Sequence, residues 1–208
     1  MTSIDTITLE VADATAAADF YATAFGLGDE LRLREAQEPT DGFRGFTLSL
    51  IVSQPSDVAV LFDRAVEAGA TSLKAPRKSM WGHGAVLRAP DGTIWKIATP
   101  AKKDTGPATG RVANIVLLLG VADIPASKQF YVGHGFTVAK SFARMYVEFD
   151  GGPGIVKLGL YRRRALAKDA GVAPDGSGSH RIVAGGSGEP FTDPDGFAWE
   201  PTSTTARS

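Results

Sequence analysis

The chain has 208 residues, with 22 Lys and Arg against 23 Asp and Glu, three His and no Cys, and 43% of it is hydrophobic. A net charge of −1 excludes the broad basic surface that nucleic acid or an anionic membrane calls for. The missing Cys excludes disulfides and thiolate metal sites, so any metal would need His, Asp or Glu ligands.

Residues 1–13 alternate apolar and polar and carry acids early, unlike a secretory leader, so a cytoplasmic location is expected. Ile4–Val11 reads as a strand ending at Asp13, whose carboxylate is placed to cap a helix. Ala14, Ala17, Ala18, Tyr21 and Phe25 then recur at helical spacing, and Gly26 ends the run. Gly45–Val52 reads as a buried strand. The clearest helix lies between Asp57 and Gly69, where Val58, Leu61, Phe62, Ala65 and Val66 share one face behind a cap at Ser56 or Asp57. Strands are expected at Thr71–Leu73, Ala85–Ala89 and Thr93–Ala98, the last two joined by a Pro90-Asp91-Gly92 turn.

Residues 101–111, with Lys102, Lys103, Gly106, Pro107 and Gly110, read as a linker. A strand at Val112–Leu119 leads to a cap at Asp123 and a helix with Pro125 in its first turn, closing near His134 and Gly135. The apolar run Ile115–Leu119 is far below the ~18 to 20 residues of a membrane span. Met145–Phe149 and Ile155–Tyr161 suggest a hairpin around 151–154. Arg162-Arg163-Arg164 with Lys168 reads as a solvated helix start rather than an anion site, and 174–179 as a Gly- and Ser-rich flap. No amphipathic helix follows 180–184, and 203–208 reads as a loose tail.

A repeat organises these elements. Val11-Ala12-Asp13 is followed by Phe20-Tyr21, and Val121-Ala122-Asp123 by Phe130-Tyr131, with the Phe seven residues after the Asp both times. Pro90-Asp91-Gly92-x-x-Trp95 is echoed by Pro194-Asp195-Gly196-x-x-Trp199. The chain therefore divides into modules at 1–100 and 112–202, the second lacking its second helix.

These motifs resemble the vicinal-oxygen-chelate superfamily, which includes glyoxalase, bleomycin-resistance and extradiol-dioxygenase proteins. The resemblance implies an α+β fold of tandem βαβββ units whose mixed sheets curl into cups, with helices packed outside. It also implies a site inside the cup, often with a divalent metal held by two His and two carboxylates. Carried over by position, the first-strand His falls on Thr6 and Asn114, the His before the second helix on Leu50, and the closing Glu on Lys96 and Glu200. In the second copy the middle-strand ligand falls near Gly186 or on His180. An ammonium has no lone pair for a cation, and Thr, Leu and Asn are poor ligands.

The expected function is therefore binding of a small organic molecule in a cup, without metal or other cofactor, lined by Thr6, Leu50, Trp81, Lys96, Asn114, His180 and Glu200. Alternation puts Lys96 on the face opposite Trp95 and Ile97, with Trp95 and Trp199 packed under a helix. The alternative is a divalent-metal lyase, isomerase or dioxygenase built on His180 and Glu200. His83 reads as a hydrogen-bonded loop residue. The units 45–98 and 112–161 look most complete, and either pair with one another or are completed by a second chain in a homodimer.

Overall fold

The computed structural model describes residues 4–28, 31–142, 144–151, 156–186 and 188–201. The first unit is β1 (Ile4–Val11), α1 (Ala14–Phe25), β2 (Leu31–Glu35) and β3 (Thr40–Gly42). The next is β4 (Phe46–Val52), α2 (Pro55–Glu67), β5 (Thr71–Ser79), β6 (Gly82–Arg88) and β7 (Ile94–Thr99). The third is β8 (Val112–Val121), α3 (Ile124–Gly133), β9 (Val138–Phe142), β10 (Tyr146–Phe149) and β11 (Val156–Arg162). The last holds α4 (Arg163–Ala170), β12 (Gly176–Gly178), β13 (Ile182–Gly186), β14 (Phe191–Thr192) and β15 (Ala198–Pro201). The expected turn at 152–154 and the tail at 203–208 lie outside the described residues. Among the described residues no helix is long and apolar enough to cross a membrane.

The caps act as their chemistry requires. Asp13 accepts from the Ala16 N–H at 2.9 Å and Asp123 from the Ala126 N–H at 3.2 Å, while Gly26 closes α1 at φ 65°. The start of α2 differs from expectation. Its N-cap is Gln54, with Pro55 in the first turn, and neither Ser56 nor Asp57 caps it. Asp57 instead reaches out to the linker, accepting from Thr109 N at 2.6 Å and Gly110 N at 2.8 Å. Gln54 does the same with its amide, which donates to the carbonyls of Gly106 and Pro107.

The halves of the two modules pair crosswise. β4 and β8 run antiparallel with Ser49 opposite Val116; β7 lies parallel to β4, and β11 parallel to β8. The units 46–99 and 112–162 thus form one cup within a single chain. The outer pieces pair likewise, β1 lying between β2 and β13, with β15 and β14 beyond. β1 touches β11 at Ile4 and Val156, which joins both parts into one curled sheet, of thirteen strands among the described residues. After β13 no helix follows among the described residues before β14.

One face of this sheet packs on α1, α2 and α3, and the main apolar core lies between them. The repeated motifs meet there as two matching clasps. Tyr21 donates its hydroxyl to Asp91 at 3.0 Å and accepts from the Trp95 indole at 3.3 Å. Tyr131 donates to Asp193 at 2.7 Å and accepts from Trp199 at 3.2 Å. Burial, and secondly the facing carboxylate, pushes both tyrosines well above their ordinary pKa. The clasps differ in one respect: Asp195, the sequence equivalent of Asp91, accepts instead from Ala122 N and Ser127 Oγ.

The helices are not all outside. α4 lies on the opposite face, inside the cup of 46–162, with Leu166, Ala167 and Ala170 packed on Val86, Ile94 and Phe43. Gly120 permits this crossing: a Cβ there would lie 3.0 Å from Arg163 Cα and 2.7 Å from the Gly45 carbonyl oxygen.

Candidate functional site

Register defines what the cup presents. Across the four central strands one row runs Lys96, Ser49, Val116, Lys157. The next row towards the β5–β6 turn is Gly84, Ala98, Ile51, Asn114. The row on the other side, Thr47, Leu118, Gly159, leads under α4, where Ile94 packs on Leu166. Directly paired residues project to the same side of a sheet, so these rows line the face that α4 also covers. α4 fills one end of the cup, and the end at Ala98, Ile51 and Asn114 is only half-buried apart from the floor at Ser49.

Lys96 does line the cup, but its ammonium is committed. It pairs with the Asp169 carboxylate on α4, and Lys74 donates to the Lys168 and Asp169 carbonyls at the end of that helix. Such contacts suit a helix C-terminus, where the backbone carbonyls point outward. Trp81 stands at the β5–β6 turn, 84% exposed and beyond the Ala98 row, its backbone N–H donating to Ser79 Oγ. On the far wall the Tyr146 ring packs over Gly159, near Tyr161 at 6.2 Å between ring centroids. Burial and the neighbouring Glu148, which accepts the Tyr146 hydroxyl, raise that tyrosine's pKa.

The remaining expected residues lie elsewhere. Leu50 is wholly buried in the helix-side core, one residue out of phase with the cup-facing Ser49. Asn114 faces the cup, yet the repeat spacing of 110 residues makes Val116, not Asn114, the equivalent of Thr6. Thr6 belongs to the outer sheet, in one row with Gly185 and Glu200. Glu200 is there bridged to Glu10 by Arg34, which bonds Glu10 at 2.7 Å and Glu200 at 3.2 Å. Hydrogen bonding to Glu10, opposed by desolvation and aided by Glu200, raises the Arg34 pKa.

His180 is a structural clamp. Its Nδ1 lies 2.7 Å from the Arg44 carbonyl and its Nε2 2.9 Å from the Asp195 carbonyl, while the ring stacks on Phe197 at 3.9 Å. Both nitrogens are engaged by backbone carbonyls, whereas Glu200 pairs with Arg34. His83 bonds the Ala101 carbonyl through Nδ1. Segment 174–179 is not a free flap, because β12 pairs with β3 and Arg163 ties Pro174 and Phe43 together.

A divalent metal of the kind that the sequence resemblance implies does not fit the donors of the cup's central row. The cup's central row offers two ammonium groups, a hydroxyl and a valine. Among the described residues no group of three or more His, Asp and Glu could hold an ion. Sequence reasoning missed Ser49 and Lys157, which only the strand register brings beside Lys96, and Arg34, which lies in an unforeseen strand.

No protein-family model matches the chain, and no curated protein matches its sequence. Its structure is similar to solved ones. Glyoxalase I from Zea mays aligns over 96% of this chain and 91% of that chain at 15% identity and TM-score 0.64. A candidate dioxygenase from Bacillus subtilis aligns over 88% of this chain and 69% of that chain at 12% identity and TM-score 0.54. The chain thus shares its fold, of paired βαβββ units, with these glyoxalase and dioxygenase structures.

Proposed function

We propose that this chain binds a small planar organic molecule in the open end of the 46–162 cup, between α4 and the Trp81 turn, without using a metal ion. The observation that carries this reading is the row Lys96, Ser49, Val116, Lys157. At the centre of the cup it sets cationic and neutral side chains where a metal enzyme needs carboxylate and imidazole. The half-buried Ile51, Ala98 and Val116 supply an apolar floor, Asn114 and Lys157 supply polar contacts, and Trp81 supplies an exposed ring at the rim. Such a site suits sequestration or sensing.

The test joins metal analysis to ligand screening. Tag-free protein, purified without chelator and offered Mn, Fe, Ni and Zn, is expected to retain less than about a tenth of an ion per chain. Planar aromatic compounds are expected to raise its thermal midpoint in proportion to their occupancy. One tightly held ion per chain would overturn the metal-free reading, and retention after Glu200→Ala would place that ion away from the outer sheet.

A further inference from the structure

A cavity of about 390 Å³ lies apart from the open end of the cup, under the β3–β12 ribbon and beside the Pro90-Asp91-Gly92 turn. Arg44, Arg88 and Arg181 line it together with Phe43 and Phe46. Arg44 is only 8% exposed and lies over the Phe46 ring, its Cζ 5.7 Å from the centroid. Its Nη2 donates to Thr93 Oγ1 at 2.9 Å and to the Asp91 carbonyl at 3.3 Å, whereas Nη1 is buried with no partner among the described residues.

Arg181 repeats the pattern. Its Nη2 donates to the Glu38 carbonyl at 3.1 Å, and its Nε is buried without a partner among the described residues. Its backbone, at φ 55°, is the one non-glycine in left-handed conformation among the described residues. The fold holds it there: the Arg181 N–H donates to Ser179 Oγ and its carbonyl accepts from Glu10 N. A strained residue carrying an unsatisfied guanidinium beside a cavity is a usual mark of a binding position.

Three carboxylates, Asp41, Asp91 and Asp175, line the same cavity, and none of them bonds the partnerless Nη1 of Arg44 or Nε of Arg181. Asp91 is spent on Tyr21, on Thr93 N and on Thr93 Oγ1. Asp41 and Asp175 are exposed on the ribbon. Burial depresses the Arg44 pKa against the pull of Asp91 and Tyr21, with Arg181 and Arg88 adding smaller depressions.

We propose that this cavity is a second ligand site, taking the oxyanion of a small organic molecule, a carboxylate or a phosphate, on Arg44 and Arg181 with its apolar part against Phe43 and Phe46. An oxyanion accepts from several N–H groups at once, and charge-assisted bonds of this kind are the strong ones. The inference does not depend on the cup reading, because Trp81 and Lys157 take no part in it.

The test is calorimetric titration of the intact chain with inorganic phosphate and, separately, with benzoate, in the wild type and in Arg181→Asn. Asn tolerates the left-handed backbone and removes the guanidinium. The expected result is saturable binding of one anion per chain, weakened about tenfold or more by Arg181→Asn and by added salt. Arg44→Lys, which keeps the charge but loses the fork, is expected to weaken it as well; should that variant not fold, Arg181→Asn decides alone. Saturation by phosphate only assigns a phosphoryl group, and by benzoate only a carboxylate. No saturation by either anion up to about 10 mM, or binding indifferent to Arg181→Asn, would overturn the proposal.

Discussion

Lys96 on β7 and Asp169 in the last turn of α4 form an ion pair across the cup, so the lysine at the closing-strand position is held by the protein's own helix. The pair is half-open to water on the Asp169 side, and such pairs contribute about 0 to 1 kcal/mol. Leu166 on the same helix is 1% exposed and packed into the smaller apolar cluster. Asp169→Asn is therefore expected to lower stability in urea by less than about 1 kcal/mol. Leu166→Ala should cost roughly 2 to 5 kcal/mol. The reverse order would show that α4 is held by charge and not by burial.

The two tyrosine clasps should be unequal. Asp193 is 4% exposed, and burial raises its pKa despite the bonds from Tyr131 and the Phe197 and Asp195 N–H groups. Asp91 is half-buried. Tyr131→Phe strands an indole N–H and removes a donor from a buried carboxylate, at a cost of about 2 to 3 kcal/mol. Tyr21→Phe should cost about 1 to 2 kcal/mol, since water can reach Asp91. Chemical denaturation of both variants measures the difference, and equal losses would count against it.

Asp57 ties α2 to the linker and gives the protein an acid limit. The side chain is fully buried, which alone would raise its pKa, but bonds from Gly110 N, Ser53 and Thr109 outweigh this and lower it. A carboxylate with a depressed folded pKa adds stability that is complete above its unfolded value, about 3.8, and is lost as pH falls through the lower folded value. Asp57→Asn should therefore destabilise by a constant amount between about pH 5 and 8, with the gap to the wild type closing below about pH 4. A gap that widens in acid would contradict this assignment.

Much of the fold was legible because its signals are local. Asp13 and Asp123 cap, Gly26 closes a helix, and the Tyr and Trp repeats mark packing beneath helices, all within a few residues of chain. Pairing of units is a long-range choice that a repeat cannot reveal, since the spacing of 110 shows which strands are equivalent but not which lie side by side. The cup face was lost by a single residue: in a strand of period two, choosing Leu50 in place of Ser49 selects the core. The helix start at Arg162–Arg164 was legible but read as solvated; the burial of α4 was hidden by its polarity, as its apolar stripe is only Leu166, Ala167 and Ala170 within a basic run. Gly120, interrupting an apolar strand, was the available sign that another backbone crosses there.

Trp81 offers a direct optical readout of the cup. It is 84% exposed, whereas Trp95 is at 0% and Trp199 at 4%. Acrylamide should quench emission mainly from Trp81, and Trp81→Phe should remove that component while changing stability by no more than about 0.5 kcal/mol. A planar compound bound against the rim should shield Trp81 from the quencher in a saturable way. Truncation to Ala should weaken that compound's affinity by about 2- to 10-fold, the usual worth of an aromatic contact beyond its buried area. If ligands that stabilise the protein leave Trp81 quenching unchanged, and Trp81→Ala leaves their affinity intact, then they do not bind at this end of the cup.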